Sequence, residues 1–218
     1  MKLSVSEENY LKTVYHLQEA DQKATTNQVA EALKTSPASV TDMMKKLHAK
    51  KLLHYKPYYG FSLSNEGRKI ALSIIRRHRL WEFFLAEKLG FGWNEVHIVA
   101  EELEHVRHKK LIDKLDEFLG YPAFDPHGDP IPNSKGKMQY TIKTNLFDLP
   151  LHKPGTISHV SGQSKELLDE LAQLQISIGS QIEVKKRSTF DKSLQVKLNN
   201  KNVLLTEQIA RHLFVNRI

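Results

Sequence analysis

Residues 25–63 read TTNQVAEALKTSPASVTDMMKKLHAKKLLHYKPYYGFSL, and the order of elements in that stretch decides the fold. Thr25-x-x-Gln28 is a capping-box pattern and opens a short helix with Val29, Ala30 and Leu33 on its inner face. Lys34-Thr35-Ser36 is a tight connection. Ser36 then stands where an N-cap belongs and Pro37 where the first helical residue belongs. The helix that follows is expected from about Pro37 to Lys50, burying Val40, Met43, Met44 and Leu47. Leu52 to Leu63 has strand-like aromatic content broken by Lys56-Pro57 and Gly60, as in a β-hairpin.

Upstream, Ser4-x-x-Glu7 caps a first helix carrying Tyr10, Leu11, Val14, Tyr15 and Leu17 at helical spacing. Helix, short helix, turn, helix, hairpin is the order of a winged helix-turn-helix, in which the third helix enters the major groove and the hairpin lies along the phosphates. The exposed positions of that third helix are short polar residues followed by lysines. Ser36, Ser39 and Thr41 are therefore expected near base edges or adjacent backbone, and Lys45, Lys46 and Lys56 at phosphate. Thr26, Pro37 and Tyr58 complete the candidate DNA-contacting set. A small helical bundle with a surface hairpin is the plainer alternative for the same pattern.

Charge favours the DNA reading. The 218-residue chain has a formal net charge of +7, and from Lys45 to Arg79 its basic residues face the single acid Glu66. There is no cysteine, which removes disulfide frameworks and thiolate metal sites. No apolar run is long enough for a bilayer, and MKLSVSEENY lacks the features of a secretory signal, so the expected compartment is the cytoplasm, with no membrane partner.

Ser64 caps a long helix from Asn65 to about Gly90, carrying Ile70, Ile74, Ile75, Leu80, Phe83 and Phe84. Phe91-Gly-Trp-Asn94 interrupts it. Asn94 is expected to cap a second helix that runs unbroken to about Leu119, where Gly120-Tyr121-Pro122 stops it. On this second helix Val96, Val99, Leu103 and Val106 form an apolar seam. A second stripe, His97-x-x-x-Glu101-x-x-Glu104-His105-x-x-His108, falls on one flank, because each residue turns about 100° around the axis. His78-x-x-x-Glu82 on the preceding helix can join it if the two pack antiparallel. Carboxylate and imidazole without thiol is the ligand set of Mn²⁺, Fe²⁺ or Zn²⁺; a solvated charged face is the plain alternative. The two helices are apolar enough for a core plus a subunit interface, for which a symmetric homodimer is the common outcome.

Enzymatic readings fare worse. The chain has no His-Glu-x-x-His pair and no Gly-rich phosphate loop. Glu102-x-x-His105 matches one element of a di-metal carboxylate enzyme, but such sites need two copies and only one is present. A winged-helix regulator answering an organic effector is a third possibility. Toward the C-terminus, Phe124 to Met138 reads as loop, and Pro150 to Pro154 as the end of a linker. From about Gly155, period-two alternation in 156–160, 181–184 and 194–198, with a helix at 165–174, describes a small, mostly β module suited to a partly open barrel.

The series Ser6-Glu-Glu-Asn-Tyr-Leu-Lys-Thr-Val-Tyr15, Val29-Ala-Glu-Ala-Leu33, Ser39-Val-Thr41, Gly67-Arg68, Arg77-His-Arg-Leu-Trp-Glu82 and Glu104-His-Val106 resembles the diphtheria toxin repressor and manganese transport regulator family over the whole chain. The resemblance implies a mainly α protein with a β module. Its parts would be a winged helix-turn-helix DNA-binding domain at 1–70, a helical metal-binding and dimerisation domain at 71–140, a linker at 141–154 and an SH3-like, FeoA-like small β-barrel at 155–218. It implies a homodimeric repressor whose affinity for double-stranded operator DNA rises with bound Mn²⁺ or Fe²⁺, Zn²⁺ or Co²⁺ also binding in vitro. By position, His78, Glu82, His97, Glu101, Glu104 and His105 fall on family metal ligands. Asn9 falls where other members supply methionine or aspartate, and Gln163 and Glu166 lie where the SH3-like domain can send ligands. At the position of Glu101 iron-responsive relatives carry cysteine, which makes Mn²⁺ the expected metal and Fe²⁺ the alternative.

Overall fold

A computed structural model describes residues 2–20, 23–56, 60–139, 143–162 and 164–217. The chain divides into two compact units with interleaved membership: Met1–His78 with Glu104–His108 and Pro132–Lys137, and Arg79–Leu103 with Lys109–Ile131 and Met138–Ile218.

The first unit opens with α1 (Val5–Ala20). Its cap is reciprocal: Glu7 N donates to Ser4 Oγ at 3.2 Å and Ser4 N to Glu7 Oε2 at 2.9 Å. α2 (Thr26–Ala32) starts on the Thr25/Gln28 capping box, and α3 (Pro37–Ala49) on Ser36, whose hydroxyl accepts from Ser39 N. Strands β1 (Leu53–Lys56) and β2 (Gly60–Leu63) pair antiparallel, Leu53 opposite Leu63. The hairpin tip, with Tyr58 and the side chain of Lys56, lies outside the described residues. Leu11, Val14, Val29, Val40, Met44, Leu47 and Phe61 form one buried core. Met43, expected inside, is only half-buried. The element order of a winged helix-turn-helix is thus present, its recognition helix ending one residue before the expected Lys50.

Helix α4 (Asn65–Leu89) matches the expected length. The helix after it does not. Where one helix was expected from 94 to 119 there are two, α5 (Val96–Leu103) and α6 (Lys109–Phe118). The chain leaves helical geometry at Glu104, whose main-chain carbonyl accepts from Arg77 Nε instead of from an amide one turn on. A helical period is a local signal and cannot register that distant guanidinium. Asn94 is not the cap either. Gly92 O accepts from Val96 N, the Glu95 carboxylate takes Gly92 N, and Asn94 Nδ2 donates to Asp169 Oδ1 at 2.6 Å. The seam of α5 is Val96, Val99, Ala100 and Leu103, while Val106 is exposed.

The second unit also holds a β module: β3 (Thr144–Asn145), β4 (Pro154–Val160), α7 (Lys165–Gln173), β5 (Gln181–Arg187), β6 (Leu194–Leu198), β7 (Lys201–Leu205), α8 (Glu207–His212) and β8 (Leu213–Arg217). They make an antiparallel sheet ordered β3-β8-β4-β5-β6-β7. Its edges, β3 and β7, do not pair with each other among the described residues, so no closed barrel is seen. Bulges at Ile157/His159 and Val184/Lys186 bend it over a core of Ile157, Val160, Ile182, Val184, Val196 and Leu213. Among the described residues no helix is long and apolar enough to cross a membrane.

Candidate metal centre and nucleic-acid face

In the first unit α1 presents Glu8 and Lys12 one turn apart, and each meets one residue of the Glu104-His105 pair. His105 Nδ1 lies 2.7 Å from Glu8 Oε2. Lys12 Nζ donates to Glu104 Oε2 at 2.8 Å, and His78 Nδ1 stands 2.7 Å from the same oxygen. Glu8 also faces Arg77 Nη2 at 3.2 Å and Arg107 Nε at 3.0 Å. Glu8, His78 and Glu104 are all buried. Burial pushes the Glu104 carboxyl upward, but His78 and the Lys12 ammonium outweigh it and hold it below its ordinary value.

This cluster fits a divalent cation on its own chemistry. Among the described residues Glu104 Oε1 and Asn9 Oδ1 are buried without a hydrogen-bond partner, which native proteins seldom tolerate. With Glu8, His78 and His105, Glu104 forms a carboxylate and imidazole set without sulfur.

The other three expected ligands lie in the second unit. His97 Nδ1 lies 3.2 Å from Glu82 Oε1, and its Nε2 lies 3.6 Å from Glu101 Oε1. Two partners were missed in the sequence: Glu82, Asp125 and His127 are buried and bring one ligand atom each within 4.8 Å of the others. His127 Nε2 is 3.1 Å from the Trp93 carbonyl, which leaves Nδ1 toward Glu82 Oε2 at 3.8 Å. Burial, with the charges of Glu82 and Asp129, pushes the Asp125 carboxyl up to about 8 against the opposing pull of Arg79. For His127, burial lowers the pKa, but the hydrogen bond and charge of Glu82 reverse the sign and raise it. The available signal was the density of acid and imidazole in Asp125-Pro-His-Gly-Asp129, within a stretch read only as loop. Glu166 is exposed in the first turn of α7, Gln163 lies outside the described residues, and His108 is exposed ahead of α6.

On the α3 face Ser36, Pro37, Ser39, Lys45 and Lys46 are exposed, and Thr41 and Thr26 are half-buried. Three of these hydroxyls have internal partners: Thr41 Oγ1 donates to the Pro37 carbonyl at 2.9 Å, and the Ser36 and Ser39 hydroxyls meet at 2.9 Å. Lys46 Nζ sits 3.2 Å from Glu7 Oε1, which Lys50 also holds. Burial raises the Glu7 carboxyl, but the two lysines and Ser4 N override it and bring it to about 2.

Residues 2–61 match the family described as iron dependent repressor, N-terminal DNA binding domain; residues 64–133 match iron dependent repressor, metal binding and dimerisation domain; residues 144–217 match the FeoA domain. The iron-dependent repressor IdeR of Mycobacterium leprae is 33% identical over 125 residues, 57% of this chain and 54% of the relative. The match thus spans about half the length of that relative. The HTH-type transcriptional regulator MntR of Oceanobacillus iheyensis is 35% identical over 116 residues, 53% of this chain and 78% of the relative. A solved manganese-dependent transcriptional repressor in complex with manganese superposes with a TM-score of 0.88 at 31% identity, covering 97% of this chain and 100% of that one. The structure of ScaR with bound Cd²⁺ gives 0.82 at 31% identity, covering 97% and 99%.

Proposed function

Because the chain belongs to the iron- and manganese-dependent repressor family with a FeoA domain, we propose that it is a homodimeric, DNA-binding transcriptional repressor of metal-homeostasis genes, activated by a divalent metal, Mn²⁺ ahead of Fe²⁺. One observation carries the reading. The cluster of buried Glu8, His78 and Glu104 with half-buried His105 is anchored on α1, the first helix of the DNA-reading head itself.

A bound divalent ion would supply positive charge to buried carboxylates and join α1 to the Glu104-His105 segment. The work on DNA falls to the chain. Ser36, Ser39 and Thr41 meet base edges or nearby backbone, Thr26, Pro37 and Tyr58 complete the DNA-contacting set, and Lys45, Lys46 and Lys56 take phosphate. A head held in one orientation sets two recognition helices roughly 34 Å apart on successive major-groove turns. A head free to reorient gives up binding energy to the ordering cost.

Dimerisation is supported by large apolar side chains exposed in the second unit, Leu89, Ile98, Leu111, Phe118 and Tyr121. In this reading residues 1–70 read DNA, 71–140 hold metal and the dimer contact, and 155–218 form the C-terminal module, which also takes in β3 from the stretch 141–154. His78, Glu82, His97, Glu101, Glu104 and His105 are the ligands, with Asn9, Gln163 and Glu166 as further candidates. The protein works in the cytoplasm, where its operator lies.

Manganese is preferred because Glu101 supplies a carboxylate where a thiolate would favour iron and later metals, and Asn9 adds only a hard amide oxygen. Selectivity then comes from geometry, since Mn²⁺ binds more weakly than Fe²⁺, Co²⁺ or Zn²⁺ in the usual series. Anaerobic operator binding with Mn²⁺ and Fe²⁺ at matched free concentrations tests this. Full activation by Fe²⁺ with little by Mn²⁺ reverses the order; no response to any divalent metal removes the function.

A further inference from the structure

Lys12 holds one oxygen of the Glu104 carboxylate whose charge a metal would share. Its Nζ donates to Glu104 Oε2 at 2.8 Å, and the two side chains are 12% and 0% exposed. Glu104 is thus a fully buried carboxylate whose charge is met, in this structure, by an ammonium from α1 and by His78 at 2.7 Å. A buried carboxylate without a countercharge is strongly disfavoured, so Lys12 lowers the free energy of the metal-free chain. An ammonium and a divalent ion also compete for the same lone pairs, because a lysine has donors only and a carboxylate has acceptors only.

We propose that Lys12 is a tethered cation that occupies Glu104 in the metal-free protein and is exchanged for the incoming divalent ion, so that Lys12 sets the metal affinity of this centre. The proposal rests on the reading of Glu104 as a metal ligand given above.

The neighbouring charges show why Lys12, and not an arginine, is the exchangeable group. Glu8 is held by two guanidinium groups, Arg77 at 3.2 Å and Arg107 at 3.0 Å, and Arg77 is tied further to the Glu104 carbonyl and to Ser73 Oγ at 3.1 Å. A guanidinium in several bonds is a fixed part of the scaffold. Lysine is a point charge on a flexible four-carbon stem, and it can swing its ammonium into water while its stem stays on α1. Exchange of one cation for another keeps Glu104 ionised throughout and leaves the lysine protonated.

The test is Mn²⁺ binding to the full chain by titration calorimetry at fixed pH and ionic strength, in wild type, Lys12→Met and Glu104→Gln. Lys12→Met keeps the stem and removes the charge. It is expected to bind Mn²⁺ about tenfold more tightly, the worth of one charge-assisted hydrogen bond released on binding. Its metal-free form should melt below wild type, and the Mn²⁺-loaded forms should melt alike. A second measurement needs no variant: the rate of Lys12 acetylation in the wild-type chain, mapped by mass spectrometry, should rise when Mn²⁺ is added. Equal or weaker Mn²⁺ binding by Lys12→Met, or an acetylation rate indifferent to Mn²⁺, overturns the exchange while leaving the metal site standing, provided Glu104→Gln has lost binding. Wild-type Mn²⁺ affinity in Glu104→Gln overturns the ligand reading and the exchange together.

Discussion

The indole of Trp93 lies on the imidazole of His127, ring centroids 5.5 Å apart and planes 11° from parallel. Trp93 also donates Nε1 to the Pro126 carbonyl at 2.9 Å, so the ring is pinned to the loop that carries Asp125 and His127. A change in the charge at His127 reaches a fluorophore directly. Mn²⁺ is expected to change tryptophan emission in wild type and in Trp81→Phe. Trp93→Phe should lose the change. A response that survives in Trp93→Phe and vanishes in Trp81→Phe would place the ion elsewhere.

Glu104→Ala is expected to abolish the metal response of operator binding while leaving a weak, salt-sensitive background. It also strips Lys12 and His78 of their shared carboxylate. The metal-free variant should therefore lose about 3 kcal/mol of stability, the scale for breaking a buried ion pair. Urea unfolding gives the stability, and a metal titration of DNA binding gives the response. A wild-type metal curve in this variant would remove Glu104 from the site.

Glu7 links pH to the stability of the DNA-reading head. Its carboxyl lies at about 2 against an ordinary 4.5, because Lys50, Lys46 and Ser4 N overcome the effect of burial. A depressed folded-state value stabilises above the unfolded value and is lost as pH falls through the folded one. The contribution is full above about pH 4.5 and disappears toward pH 2. Glu7→Gln should cost about 2 kcal/mol at pH 7, discounted for the exposed Lys46, and the gap from wild type should close in acid. A gap that persists at pH 2 would assign the loss to packing.

Lys45 and Lys46 stand side by side in sequence, yet the structure separates their roles. Among the described residues Lys45 reaches only the exposed Asp42, at 3.9 Å, whereas Lys46 is drawn to the buried Glu7 at 3.2 Å. Lys45→Ala should weaken binding to all DNA sequences alike and reduce the salt slope by about one unit. Lys46→Ala should reduce it less, because part of that charge is already spent on Glu7. Equal slopes for the two variants, or altered sequence preference in Lys45→Ala, would count against this geometry.

Gly128 has φ +82°, and a Cβ there would run into the Ser158 carbonyl of β4. The loop bearing Asp125 and His127 lies against that strand, with Val160 N donating to the His127 carbonyl at 3.0 Å. Gly128→Ala should cost about 3 kcal/mol and remove the Trp93 response to Mn²⁺. Wild-type melting in this variant would show that the loop can be rebuilt without that close approach.

Much of the first unit was legible in the sequence because its signals are local. Ser4/Glu7 and Thr25/Gln28 are read within four residues, and both boxes form. Ser36-Pro37 announces the start of α3, and Gly120-Tyr121, both at positive φ, mark the end of α6. The six candidate ligand positions were likewise proposed from spacing and a family resemblance alone.

The partners of those candidate ligands were not legible, because contact with them depends on residues far apart in the chain. Glu8 meets His105 across 97 positions, and Lys12 meets Glu104 across 92. The turn at Glu104 that ends helical geometry after α5 depends on Arg77, 27 positions earlier, so a continuous stripe on one helix was the wrong picture of the metal-capable residues. Sequence by itself determined most of the elements, apart from the break between α5 and α6, and which residue types could hold a metal, since propensity, capping and hydrophobic period act within a few residues. Tertiary structure alone decided which of those residues share a buried charge, because burial and the choice of counter-ion are set by whatever the folded chain packs against them.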